Sequence, residues 1–320
     1  MSNYRLFGEF TTLSPLSHIG ESISTITYLV EEPILQPSGQ IEPVFSYNGN
    51  AWRGQLRDLA AGYMLDKLGC TVSLDAFHLL FSGGKIGGDQ SINLSQARMM
   101  RRAVPMISVF GGGVGNQILP GKMRVGASYP VCIEAMPVLR ERYYGDCLKT
   151  SYRQMTMEKS YSRMDDGKNP NLMQRINEQD ALLLESGDKK SKKDGEVSTQ
   201  MRMTSELLIA GVKLVHEIDL IGVSEIELGV IASAIHAFSA SPYIGGQCNR
   251  GHGKVSYASR IVNMDSGEDF GFIKIDGDGN AKLAQPAQSA KNAYDQHLLE
   301  QYNNFLQSAQ SEIAGLLGAG

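Results

Sequence analysis

The run from Ser205 to Tyr257 constrains the fold most tightly. It reads SELLIAGVKLVHEIDLIGVSEIELGVIASAIHAF and then, after a short turn, IGGQCNRGHGKVSY. Val212, Leu214, His216, Ile218 and Leu220 alternate with polar partners, the period of a half-buried strand. His216 falls on the apolar side, which fits a core histidine better than a catalytic one. Ser224 and Glu227 then supply a capping box, and Leu228, Ile231, Ile235 and Phe238 give the following helix one apolar face. Ile244, Val255 and Tyr257 belong to another strand. Strand, helix and strand in this order require the helix to cover a sheet.

The N-terminal half carries a related plan. YRLFGEFTTLSPLSHIGES reads as a strand running into a loop, and residues 23–47 have extended character. From Asn48, the spacing of Trp52, Leu56, Leu59, Ala60, Tyr63 and Leu68 predicts a helix that Gly69 stops. MISVF and KMRVGASYPV read as two further strands. Without its insertions the order approximates β-α-β-β-α-β, an α+β, ferredoxin-like plan shared with RNA-recognition (RRM-like) domains. Its antiparallel sheet leaves one face open to a ligand, although the aromatic signature of the RNA-recognition motif is missing. Residues 288–317 predict a terminal amphipathic helix along Tyr294, Leu298, Phe305, Ile313 and Leu316. Residues 150–200 break the pattern: polar, Met-rich, with a KKSKK run at 189–193, they read as a long insertion.

Several function classes fall away. No apolar run approaches the roughly 20 residues of a membrane span. MSNYRLFGEF lacks the basic-then-apolar plan of a signal peptide. Cys70, Cys132, Cys147 and Cys248 form no C-x-x-C pair, which argues against zinc and fits a reducing cytoplasm. DGDGN at 276–280 lacks the spaced carboxylates and final glutamate of an EF-hand. With a net charge of −4 and a pI near 5.9, the chain is no bulk polycation, so any polyanion site must be a local cluster.

Three places are ready for an anion. At the start of the Asn48 helix, Arg53 and Arg57 lie one turn apart. Either an anion sits between them and the helix N–H groups, or the arginines reach a carboxylate such as Asp58. FGGGVGN holds Gly111 and Gly112, with Lys122 and Arg124 close behind, yet it is neither a Walker loop nor a dinucleotide fingerprint. The third place is IGGQCNRGHGKVSY, with Gly245, Gly246, Gly251 and Gly253. Read as extended, it projects Arg250, His252 and Lys254 to one side. Glycine there serves a close approach, either by ligand or by other backbone. Three glycine–cation places at sheet ends suit a groove that tracks a nucleic-acid backbone.

SPLSHIGES, NGNAWRGQLRDLA, VFGGG before KMRV, MRMTSELLIAGVKLVHEIDL and IGGQCNRGHGKVSY occur in this order over roughly residues 5–262. In these motifs the chain resembles the RAMP superfamily of CRISPR-associated proteins. Within it, the likeness is to the Cas-seven family, the repeating backbone subunit of multi-subunit CRISPR effectors, with the type IV version nearest and type III next. The resemblance implies a palm at about residues 1–69, 106–149 and 201–287. It also implies a finger at 70–105, a thumb at 150–200 and a C-terminal helix at 288–320. Ser17, His18, Asn50, Arg53, Arg57, Gly246, Arg250, His252 and Lys254 would line a guide-RNA groove, joined by the other anion-ready positions from Asn48 to Gly245. Met155, Met157, Met164 and Met173 would be thumb wedges between bases, or simply pack within the thumb.

Implied partners are CRISPR guide RNA, further copies of the chain, other effector subunits, a helicase, and target nucleic acid that pairs with the guide. No cofactor or membrane is implied, and the expected compartment is the prokaryotic cytoplasm. Type III members cut target RNA with an aspartate and a metal. The matching stretch here, YLVEEPIL, offers Glu31 and Glu32 instead. A carboxylate displaced by one methylene can lose roughly a hundredfold in rate. The expectation is therefore a binding subunit without catalysis, with an endoribonuclease using Glu31 or Glu32 as the alternative.

Overall fold

A computed structural model of the chain describes residues 1–69, 71–84, 94–114, 116–163 and 201–308. The first half contains β1 (Ser2–Thr12), β2 (Ile19–Ile23), β3 (Ile26–Leu29), β4 (Glu31–Leu35), β5 (Ile41–Phe45) and α1 (Gly49–Leu68). Next come α2 (Leu74–Phe77), α3 (Leu94–Ala103), α4 (Pro105–Phe110), β6 (Gly112–Val114), β7 (Gln117–Leu119), β8 (Met123–Val125), β9 (Tyr129–Pro130) and α5 (Tyr144–Cys147). The second half contains β10 (Thr156–Arg163), β11 (Met201–Leu208), β12 (Lys213–Val223) and α6 (Glu225–Phe238). β13 (Val255–Asn263), β14 (Asp269–Ile275), β15 (Ala281–Leu283) and α7 (Gln285–Ser308) complete it.

The mixed α+β architecture is built on an antiparallel sheet of order β15-β14-β13-β1-β12-β8, with β9 also pairing β12. β1 sits in its middle. Leu6, Gly8, Phe10 and Thr12 of β1 are buried, whereas Arg5, Phe7, Glu9 and Thr11 are only half-buried on the other face. The predicted alternation of β12 holds: Leu214, His216, Ile218 and Leu220 are all buried. α6 packs against α1, and α7 against α6. Phe10 lies edge-on to Trp52 at 5.1 Å, Trp52 edge-on to Phe238 at 5.1 Å, and Tyr257 tilts against Phe10 at 4.9 Å. Full burial of such rings is worth about 1.5–3 kcal/mol each, so this aromatic group anchors helices to sheet.

A second sheet, β10-β11-β3-β2, stands beside the first. Its β10 and β11 pair from Thr156↔Leu208 to Arg163↔Met201, so the front of the predicted polar insertion is an ordered strand. Residues 164–200 lie outside the described residues. Three other expectations change. MISVF belongs to α4, not a strand: Pro105 occupies its first turn and Gly111 ends it at φ 72. KMRVGASYPV divides into β8 and β9, both on β12, with Gly126 N–H donating to Glu217 O at 2.9 Å between them. The terminal helix begins at Gln285, and its Tyr294 and Leu298 are buried. Among the described residues, no helix is long and apolar enough to cross a membrane.

Candidate nucleic-acid interface

The exit of β1 and the glycine-rich stretch after α6 are laced together by backbone. Gly246 N–H donates to Ser17 O at 2.6 Å, Gly253 N–H to Pro15 O at 2.8 Å, and Leu13 N–H to Lys254 O at 2.7 Å. A Cβ on Gly245 would lie 2.3 Å from Ser17 O, and one on Gly253 only 2.0 Å from Ile244 O. Both have positive φ, +76° and +82°. The close approach these two glycines serve is therefore backbone to backbone, not ligand. Gly246 and Gly251 differ: the nearest atom to a Cβ on Gly246 is 3.8 Å away, and nothing lies within 4 Å on Gly251.

The extended reading of this stretch fails. Cys248–Arg250 forms a 3-10 turn between two residues of positive φ, Gln247 and Gly251, so Arg250, His252 and Lys254 do not share one strand face. Arg250 is exposed and Lys254 half-buried, but His252 is 1% exposed. Ser17 is also buried and turns its hydroxyl away from solvent. Neither Ser17 nor His252 presents a side chain to a groove.

Asn48 caps α1, accepting from Asn50 N–H at 2.8 Å, and its own N–H donates to His18 Nε2 at 3.3 Å. Burial lowers the proton affinity of His18, which keeps the ring a neutral acceptor. Arg53 and Arg57 do not cover the helix N-terminus. They reach the other way, both donating to Phe110 O, and Arg57 also to Gly111 O at 2.9 Å. The carbonyls ending α4 suit cations. Arg57 is buried, its proton affinity lowered by desolvation first and the Arg53 charge second. Among the described residues neither arginine has a carboxylate partner within salt-bridge distance. Gln55 Nε2 donates to Tyr243 O at 2.8 Å. The first two turns of α1 thereby join the 110–113 turn to the glycine-rich stretch.

Gly111 and Gly112 also serve protein packing: a Cβ would lie 2.5 Å from Leu119 O in one and 2.7 Å from Leu79 Cδ1 in the other. Lys122 is committed elsewhere. Its ammonium is 2.7 Å from both oxygens of Glu227, the capping residue of α6, which burial would otherwise disfavour as a charge. Its charge is thus matched within the protein, where the sequence reading places it beside a phosphate. Arg124 is exposed on β8, next to Asp219 in the ladder.

Two side chains of β10 join this region from outside the sequence motifs. Tyr161 bonds its hydroxyl to His252 Nε2. The Lys159 ammonium lies 5.4 Å and the Arg250 guanidinium carbon 5.3 Å from the Tyr161 ring centre. Burial, then Lys159, lowers the proton affinity of His252. The signal was present in EKSYS, where Lys159 and Tyr161 fall on one strand face, but the segment reads as loop without its partner strand. Of the methionines, Met155 is buried in the core and Met157 exposed. Met164 and Met173 lie outside the described residues.

Glu31 and Glu32 stand on β4. Glu31 Oε1 accepts from Tyr152 O–H at 2.8 Å; Glu32 accepts from Ser46 O–H at 3.0 Å and from Tyr129 O–H. Burial and the neighbouring Glu32 push the Tyr129 hydroxyl up to about 12. Among the described residues no group of three or more His, Cys, Asp or Glu side chains could hold a metal.

No protein-family model and no curated protein matches the sequence. Among solved structures the chain is similar to a chain of a Type IV-B CRISPR complex. The two share 20% identity over 80% of this chain and 90% of that one, with a TM-score of 0.56. At that identity the likeness is one of fold.

Proposed function

We propose that the chain is a guide-RNA-binding backbone subunit of a CRISPR ribonucleoprotein effector, of the Cas-seven kind and nearest type IV. The observation that carries this reading is the fold shared with a CRISPR-complex chain over most of both lengths. The sheet order β13-β1-β12-β8, with α1 and α6 as crossovers, supports a ferredoxin-like palm. The α2–α3 region is the proposed finger, and the β10–β11 arm carries the proposed thumb. Copies of the chain stack along the guide, other effector subunits and a helicase join them, and the target is read by base pairing. The contacts are to phosphate and ribose, so affinity is independent of guide sequence.

Guide binding measured against salt tests this. Arg250→Ala should weaken binding of unrelated guides alike and lower the single-strand salt slope by about 0.7, one phosphate contact. Losses that track guide sequence would contradict backbone reading. The alternative, target cleavage, is disfavoured by the hydroxyl groups already bonded to Glu31 and Glu32. Guide-loaded protein with labelled complementary RNA and a divalent metal decides it: regular cleavage abolished by Glu31→Ala would replace the non-catalytic reading.

A further inference from the structure

Lys159, Tyr161 and Arg250 meet across two parts of the chain that the sequence separates widely. Lys159 and Tyr161 stand two residues apart on β10; Arg250 ends the 3-10 turn of the glycine-rich stretch. Both cations lie within 5.4 Å of one ring centre. Both are exposed, and neither has a carboxylate partner within salt-bridge distance among the described residues. Two like charges gathered on one ring repel each other, so the arrangement is poised for an anion that bridges them.

The ring itself is fixed from behind. Its hydroxyl is bonded to His252, which is 1% exposed and anchored beside Gly253 and Pro15. Next to the cations, Gly246 and Gly251 leave the backbone uncovered. The junction thus combines held cations with bare backbone, which suits a sugar–phosphate strand.

We propose that Lys159 and Arg250, held on the ring of Tyr161, form a two-cation clamp for successive phosphates of a single RNA strand. The strand crosses there from the glycine-rich stretch to the β10–β11 hairpin. The inference rests on the reading of the chain as a guide-RNA-binding subunit, and it adds Lys159 and Tyr161 to that site. Tyr161 is a positioning residue: a cation on its face is worth about 0.5–1 kcal/mol when exposed, and holding both cations in advance spares ordering entropy on binding.

Anisotropy titrations of a mixed-sequence single-stranded RNA at several salt concentrations test the clamp on the full chain. Lys159→Ala and Arg250→Ala should each lower the salt slope by about 0.7. Tyr161→Leu removes no charge, so it should leave the slope near wild type while weakening binding three- to tenfold. Combined with Arg250→Ala it should add less than the product of the single losses, because the ring then has one cation fewer to hold. Tyr161→Phe, which keeps the ring and loses only the His252 bond, should retain most of the affinity and guards against a folding defect in the leucine variant. Lys274→Ala, at an exposed position of β14, is the charge control. RNA binding by wild type with Lys159→Ala and Tyr161→Leu no different from that control would overturn the clamp alone. Wild-type protein that binds no RNA would overturn the function reading itself.

Discussion

His216 stacks on Phe10 at 5.2 Å and on Tyr257 at 5.9 Å, with neither ring nitrogen partnered among the described residues. Burial alone pushes its pKa down to about 3 from 6.5. The folded state therefore holds the neutral ring while the unfolded chain takes up a proton below about pH 6.5. Stability falls as pH drops through that window, by about 2 kcal/mol between pH 7 and pH 5 for this one group. His216→Leu cannot protonate, so its urea midpoint should shift less over that interval than wild type; equal shifts would place the acid sensitivity elsewhere.

The same ring explains Gly8. A Cβ there would lie 2.1 Å from His216 Nε2 and 2.7 Å from the Tyr257 hydroxyl. Gly8→Ala should cost at least 2 kcal/mol, measured by urea unfolding, because overfilling a packed core displaces whole side chains. His216 was legible as core from alternation alone. The roles of Arg57 and Lys122 were not, since Phe110 O and Glu227 are remote in sequence and only the fold brings them near.

At the scale of elements, local signals served where they were self-contained. The caps of α1 and α6 and the αL glycine after α1 follow from Asn48, Ser224, Glu227 and Gly69. MISVF failed because a five-residue run with four apolar side chains suits a buried strand or a buried helix equally. β10 failed because Glu158, Lys159 and Ser160 show no apolar face; pairing with β11 makes it a strand. Within the glycine-rich stretch, neighbouring glycines have unequal roles. Gly245→Ala meets Ser17 O at 2.3 Å from a left-handed backbone and should lower the melting temperature markedly, by more than about 2 kcal/mol of stability. Gly246→Ala, with space and ordinary φ, should stay within about 0.5 kcal/mol.

For the whole molecule, a mixed α+β plan on an antiparallel sheet was readable from the sequence of elements, whereas the second sheet was not. It needs β10, β11, β3 and β2 from three separate regions. Arg163 pairs opposite Met201, so the chain leaves and re-enters on adjacent strands. Replacing residues 164–200 by Asn-Gly should close a two-residue hairpin. The shortened chain should keep its far-ultraviolet circular dichroism and a cooperative melt; loss of the melt would mean that the segment supports the fold.

β1 has β12 on one side and β13 on the other. On a ribosome, this strand is made early and both of its neighbours late. At roughly 5–20 residues per second, it waits about 12–50 s for β13 to emerge. The backbone edge that faces β13 stays unpaired until then. Completing the central strand of the finished molecule is thus a late, long-range event.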